Sequence, residues 1–279
     1  MSPDEQGPFL EAASPDVPAG KWIYIDSGGQ TGKFNMNFDI RLVTEFILDH
    51  RPTLRFYTWE PYCISLGRNQ EVSDIDAALA EQDGIDVVIR PTGGKAVLHA
   101  EELTYSVVMD ANGMSVRESY NLISRALSEG LRNLGADLDL AQSSPDFRKL
   151  FHDSSTIPCF STSAVYEVEW HGRKLIGSAQ HRFGSVLLQH GSILVGDFHK
   201  QIVKYLNVDQ DLKQKTRNDL DLHTVTLTEI LARKPDPTEI KAAVRSGFES
   251  VLGADFYRGS LSSEISEPSQ GFDRRAAQN

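Results

Sequence analysis

The 279-residue sequence predicts an α+β protein, a mixed or antiparallel sheet flanked by helices. Three observations carry that expectation. Strand-like runs come in clusters, not in strict alternation with helices. Amphipathic helical stretches fall before, between and after those clusters. No linker, repeat or low-complexity tract breaks residues 21–258, which read as one domain, while residues 1–20 and 259–279 are Ser-, Pro-, Gly- and Glu-rich and read as mobile tails.

Taken in order, WIYID (22–26) reads as a strand, and residues 34–50 place Phe38, Leu42 and Phe46 at i, i+4 and i+8, one apolar helical stripe. LRFYTW (54–59) and YCISLG (62–67) look like strands paired across Glu60-Pro61. Asp74 to Gln82 reads as a short helix and IDVVIR (85–90) as a buried strand. After the strand TYSVVM (104–109) comes a turn at Asn112-Gly113. Ser115 and Glu118 then form a capping box for a helix that turns Ile123, Leu127 and Leu131 inward and stops at Gly135. AVYEVEW, KLIGSA and SVLLQHGSILV read as consecutive strands. Asp236-Pro237 with Glu239 starts a last helix carrying Ile240, Val244, Phe248 and Val251 on one face.

No apolar run approaches the roughly 18 residues that a membrane span needs, and the acidic, proline-rich N-terminus lacks the features of a secretory signal. A net charge of −11 argues against general nucleic-acid binding, which uses clustered Lys and Arg. Two cysteines are too few for a disulfide framework, so a reducing, cytoplasmic setting is expected. Cys63 alternates like a buried strand residue. Cys159 stands among Pro158, Ser161, Thr162 and Ser163, unlike the core setting of a structural cysteine.

Three stretches carry candidate chemistry. In RPTGGKAVLHAEELTYSVVM (90–109), Gly93 and Gly94 follow a strand, and their amides could form an anion-binding nest to which Arg90 and Lys95 add charge. An ordinary β-turn explains them equally well, and a lone His99 is more often structural than catalytic. The residue order is not that of a Walker loop, because Ala96 stands where Ser or Thr would hold a metal. Lys174 in KLIGSAQ could be a solvated strand residue. His190-Gly191 interrupts an apolar strand pair, as a bulge or a ligand contact would.

Together, GRNQ (67–70), RPTGGKAVLH (90–99), PCF (158–160), GRKLIGSAQ (172–180) and QHGSIL (189–194) occur in an order that resembles the lipoate–protein ligase and octanoyltransferase superfamily, from about Trp22 to Leu252. The resemblance implies the biotin/lipoate protein ligase catalytic fold, with the sheet and Gly-rich loop lining a narrow acyl tunnel. It implies substrate contacts from Arg90, Gly93, Gly94, Lys95 and His99, from Gly177, Ser178, Ala179 and Gln180, and from His190 and Gly191. One octanoyltransferase branch sets a catalytic cysteine, followed by Phe, fifteen residues before the motif lysine, and Cys159, Phe160 and Lys174 reproduce that spacing.

In that branch the cysteine takes octanoate from acyl carrier protein as a thioester and passes it to a lysine of a lipoyl-domain protein, glycine cleavage H protein or a 2-oxoacid dehydrogenase E2. No metal or other cofactor is required. A free thiol is only about 3% ionised at neutral pH, whereas a pKa near 7 makes about half of it thiolate, a shift that the Lys174 ammonium could supply. Three alternatives stay open: an ATP- and Mg-dependent lipoate–protein ligase, an amidotransferase between lipoyl-domain proteins, and a non-catalytic acyl-binding protein. Several positions depart from the family pattern. Ile89 and Ala100 replace an arginine and an aspartate, Lys95 replaces arginine or glycine, and Arg68 in GRNQ is closer to the ATP-using ligases.

Overall fold

The computed structural model describes residues 20–141 and 167–258, so Cys159 and Phe160 lie outside it. Strand β1 (Gly20–Gln30), helix α1 (Gly32–Asp49) and strand β2 (Thr53–Trp59) open the fold. A small sheet follows, β3 (Cys63–Leu66), β4 (Asp86–Ile89) and β5 (Val97–His99), with helix α2 (Ala77–Gln82) between its first two strands. Then come β6 (Glu102–Asp110), α3 (Val116–Arg132), β7 (Asp139–Leu140), β8 (Val168–Trp170), β9 (Arg173–Phe183) and β10 (Val186–Leu194). Helices α4 (Gln210–His223), α5 (Leu227–Leu231) and α6 (Pro237–Leu252) lead to β11 (Ala254–Arg258).

Among the described residues the large sheet has eight strands in the order β11-β1-β2-β6-β10-β9-β8-β7, and the small sheet runs β4-β3-β5. β11, β1 and β2 are parallel neighbours while the rest of the large sheet is antiparallel, which makes it mixed. Helices flank it, as the α+β expectation requires. None of the described helices is long and apolar enough to cross a membrane.

Local sequence explains most boundaries. Thr31 caps α1 by accepting from the Phe34 amide, and His50 ends it in the left-handed region at φ 55. Ser115 and Glu118 form the expected reciprocal box on α3, whose Ile123, Leu127 and Leu131 are buried. Asp236 and Glu239 do the same for α6, with Pro237 in its first turn. Ile240, Val244 and Phe248 are buried there, and Val251 packs half-buried against the same core.

Four readings need correction. β2 and β3 do not pair: β2 joins β1 and β6, whereas β3 leaves for the small sheet and joins β4 and β5. The segment between them therefore crosses from one sheet to the other. Asp74–Gln82 is not one helix, because Asp76 caps a fresh start at Ala77 after a 3-10 turn at Val72–Asp74. β4 is an edge strand and not a buried one, which leaves Ile89 41% exposed. No bulge marks His190-Gly191, since β10 keeps continuous register with both neighbours from Val186 to Ile193. Sequence periodicity also missed β5, β7, α4, α5 and β11, all short or polar.

His199, in the 3-10 segment Phe198–Tyr205, is buried with Nε2 3.1 Å from Thr224 Oγ1. Burial pushes its pKa down to about 4, with help from the Lys200 charge and against the Gly196 carbonyl and the Glu102 and Asp197 charges. In the unfolded chain a histidine titrates near ~6.5. Between those values the unfolded chain takes up a proton that the folded one does not. Stability is therefore full above pH ~6.5 and falls as pH drops toward ~4. Urea midpoints at about pH 7.5 and about pH 5 should show this loss, and His199→Gln should reduce it. An equal loss in both proteins would contradict the assignment.

Candidate active site

The site is built from the bottom of the sheet upward. α1 lies across β2, β6 and β10 and buries Asn35 and Asp39, two polar residues one turn apart. Asp39 Oδ1 accepts from Arg55 Nη1 at 2.8 Å and from Ser106 Oγ at 2.9 Å, and Oδ2 accepts from Tyr57 at 3.0 Å. His190 Nδ1 lies 3.0 Å from the same Oδ2, and its Nε2 lies 2.7 Å from Thr92 Oγ1. Burial pushes the Asp39 pKa up, but the hydrogen bond from His190 and the Arg55 charge outweigh it and leave it below the usual carboxylate range. His190 moves down because burial outweighs the pull of Asp39. The ring is therefore neutral at pH 7, and this contact is a hydrogen bond and not an ion pair.

A second chain of the same form stands beside the first. Glu102 Oε1 is 2.8 Å from His99 Nδ1 and accepts from Ser192 at 2.8 Å and Thr104 at 2.6 Å. His99 Nε2 meets Ser65 Oγ at 2.7 Å, and Trp59 stacks on the imidazole at 4.1 Å. Glu102 thus supplies His99 with a carboxylate two residues beyond Ala100, the position where the resemblance expects one.

Between these chains lies a small cavity, about 30 Å³. Met36, Tyr57, Trp59 and Val97 give its apolar wall; Ser65, His99, Thr104, His190 and Ser192 give its polar one. Gly177, Ser178 and Ala179 of β9 and Gly191 of β10 complete it, with Arg90. Seven of the residues singled out from sequence are thereby brought together: Arg90, His99, Gly177, Ser178, Ala179, His190 and Gly191. Ser65, Thr92, Asp39, Arg55, Glu102 and Tyr105 were missed. A polar residue inside an apolar helical stripe was the one available signal, and it pointed to Asp39.

Other expected residues play different parts. Arg90 does not offer its charge to an anion through a free fork: its donors go to the Ser65, Gly93 and Lys95 carbonyls at 2.7–3.1 Å and to Ser65 Oγ at 3.1 Å. It acts as the strut around which the RPTGGK loop is folded. Only Gly94 of the glycine pair has a positive φ (94°), and a Cβ at Gly93 would meet nothing within 4 Å, so just one of the two needs to be glycine for its backbone. Gly93, Gly94, Lys95 and Gln180 do not line the cavity, and Gln180 Nε2 instead donates to Ser119 on α3 at 2.9 Å.

Lys174 is 1% exposed and pairs with Glu167 at 2.6 Å, so it is not a solvated strand residue. It precedes the cavity-lining stretch of β9 by three residues. Beyond Ile176, β9 has no strand neighbour on its β8 side among the described residues. Cys63 is buried, and burial pushes its thiol pKa well up, with the Asp86 and Glu102 charges adding to the effect. It is an unreactive packing residue. Among the described residues no cluster of His, Cys, Asp or Glu could hold a metal ion.

Gly191 sets the width of the cavity. A Cβ there would stand 2.6 Å from Ser178 Oγ, 2.7 Å from the Gly177 carbonyl and 2.8 Å from the Tyr105 ring. Gly191→Ala should cost about 1–3 kcal/mol in urea denaturation through overpacking. It should also weaken octanoate binding in calorimetry. Unchanged stability and binding would show that the strands can part to make room.

The comparisons agree with this geometry. Residues 31–249 match the family described as lipoyl protein ligase A/B catalytic domain. The chain is 35% identical to octanoyltransferase LipM of Kyrpidia tusciae, over 89% of this chain and 93% of that one. It is 38% identical to octanoyltransferase LipM of Carboxydothermus hydrogenoformans, with 86% and 90% covered, and 33% identical to that of Bacillus subtilis, with 87% and 90% covered. A bipartite lipoate protein ligase from Thermoplasma acidophilum superimposes with a TM-score of 0.73 at 20% identity, covering 87% of this chain and 88% of that one, a likeness of fold. On this combined footing the chain belongs to the lipoyl protein ligase A/B catalytic-domain family, within its octanoyltransferases.

Proposed function

We propose that this octanoyltransferase of lipoate assembly works through a Cys159 thioester, with Lys174 as its proton partner. Octanoyl-acyl carrier protein is the donor. The acceptor is the target lysine of a lipoyl-domain protein, glycine cleavage H protein or a 2-oxoacid dehydrogenase E2, in the cytoplasm and without metal or nucleotide. The observation that carries the reading is the extended likeness to octanoyltransferases together with a buried cationic lysine at the start of the cavity-lining strand.

The steps balance. Cys159 thiolate attacks the donor thioester carbonyl, the carrier thiolate leaves, and it takes a proton from the Lys174 ammonium. The neutral acceptor amine then attacks the Cys159 thioester. An amide C–N bond forms as the C–S bond breaks, and the amine's proton returns to Lys174, restoring the thiolate. Oxyanion charge in both steps falls to backbone amides. One of the two at Gly177 and Ser178 is a candidate, because successive strand amides face opposite edges and the edge of β9 away from β10 is open beyond Ile176 among the described residues. Glu167 holds the ammonium in place and tempers its field at the thiol.

Incubation with octanoyl-acyl carrier protein, without ATP, should add one octanoyl group in intact-mass analysis, and Cys159→Ser should abolish it. A need for ATP would favour the ligase reading. Charge signs give a second test. Lys174→Ala removes a cation, so the pH profile of iodoacetamide alkylation at Cys159 should move up. Glu167→Gln removes an anion, so that profile should move down. Lys174→Arg keeps the charge but cannot shuttle a proton, so the thiol stays ionised while turnover falls. Superimposable profiles for wild type and Lys174→Ala would sink the dyad.

A further inference from the structure

Asp39 does not line the cavity, yet it touches a residue that does. Its carboxylate can only accept, so His190 Nδ1 carries the hydrogen between them at 3.0 Å. The ring is neutral, held so by burial, and its Nε2 is then an acceptor. Thr92 Oγ1, 2.7 Å away and fully buried, must donate to it. Thr92 stands in the loop that carries Gly93 and Gly94, and the Arg68 amide donates to its carbonyl at 2.9 Å. The chain Asp39–His190–Thr92 therefore joins α1, the large sheet and the small-sheet loop across one wall of the cavity.

We propose that Asp39 is a positioning residue for acyl transfer: by accepting the His190 Nδ1 hydrogen it fixes the tautomer whose Nε2 accepts from Thr92, and so fastens the Gly93-Gly94 loop against the acyl cavity. The inference rests on the octanoyl-transfer reading for its activity arm only. Asp39→Asn tests it because the orientation of the new amide is forced. Arg55 Nη1 and Ser106 Oγ both donate to Oδ1, and a guanidinium has no acceptor, so the amide oxygen must stay there. The amide nitrogen then faces His190 Nδ1 and donates to it. The imidazole hydrogen moves to Nε2, and Thr92 becomes an acceptor.

The experiment is long-range proton–nitrogen NMR on the full chain labelled at histidine, beside single-turnover acylation by octanoyl-acyl carrier protein. Wild type should show His190 as the Nδ1–H tautomer, and Asp39→Asn should show Nε2–H. The donor concentration for half-maximal acylation should rise roughly tenfold in the variant. The Cys159 alkylation profile should stay where it is, because iodoacetamide needs no acyl wall. Ser106→Ala, which removes a different Asp39 partner, should keep the wild-type tautomer. An Nε2–H signal in wild type overturns the inference, as does a switched tautomer with unchanged donor dependence. If Asp39→Asn does not fold, Thr92→Val decides: it breaks the far end of the chain, and an unchanged donor dependence there also overturns the inference. Failure of wild type to be acylated strikes the octanoyl-transfer reading instead, and the tautomer result stands apart from it.

Discussion

The buried pair of Asp39 and Arg55 is the constraint on which the rest of the arrangement hangs. Both side chains are 0% exposed and meet at 2.8 Å. Taking two charges out of water costs several kcal/mol for each ion, and attraction alone offsets this only when the remaining donors and acceptors are also satisfied. Here they are. Arg55 donates to the Asn35 carbonyl, to Asn35 Oδ1 and to Ser27, and its guanidinium lies over the Tyr57 and Phe38 rings at 4.0 and 4.4 Å. Asp39 accepts from four partners on three strands. With so many fixed directions the pair admits one position of α1 over β2, β6 and β10, and shifting it would leave an uncompensated charge in the interior.

From that fixed point the cavity follows. The large sheet supplies a floor of β6, β10 and β9, and the small sheet is held above it by two histidines, each anchored to a carboxylate of the body and reaching a hydroxyl of the small sheet or its loop. Hydrogen-bonded imidazoles are rigid, directional spacers, which apolar packing of the same two sheets would not be. The gap they maintain is lined by Gly177 and Gly191 on the paired strands β9 and β10, and by the apolar side chains of Met36, Tyr57 and Trp59. The polar frame around this apolar slot keeps most of its donors and acceptors partnered, Glu102 Oε2 being a buried acceptor for which no hydrogen bond is seen.

Much of this was legible in the sequence, and what was not has physical reasons. α3 and α6 announce themselves through their capping boxes and inward stripes, because those signals are local. The destination of β3 is not local. Two strands separated by Glu60-Pro61 look like a hairpin, and only the tertiary placement of β4 and β5 draws β3 into a second sheet. The motifs led to seven cavity residues through the ordered family resemblance, with a His-Gly step in the middle of the apolar β10 standing out by itself. Ser65, Thr92 and Tyr105 were hidden because a serine, threonine or tyrosine in a strand or turn is ordinary until something sits across from it.

Arg90 shows where residue chemistry and residue role part company. Beside two glycines, an arginine reads as an anion ligand, and that reading assumes a guanidinium facing solvent. Once the loop curls back, the nearest acceptors are its own carbonyls, and five hydrogen bonds to Ser65, Gly93 and Lys95 commit the fork. Its charge still counts, because it opposes protonation of His190 through space. That adds to the burial which keeps the imidazole neutral, and a neutral imidazole is what lets Nε2 accept from Thr92. The arginine thus shapes the cavity twice, through the loop it folds and through the proton it keeps away.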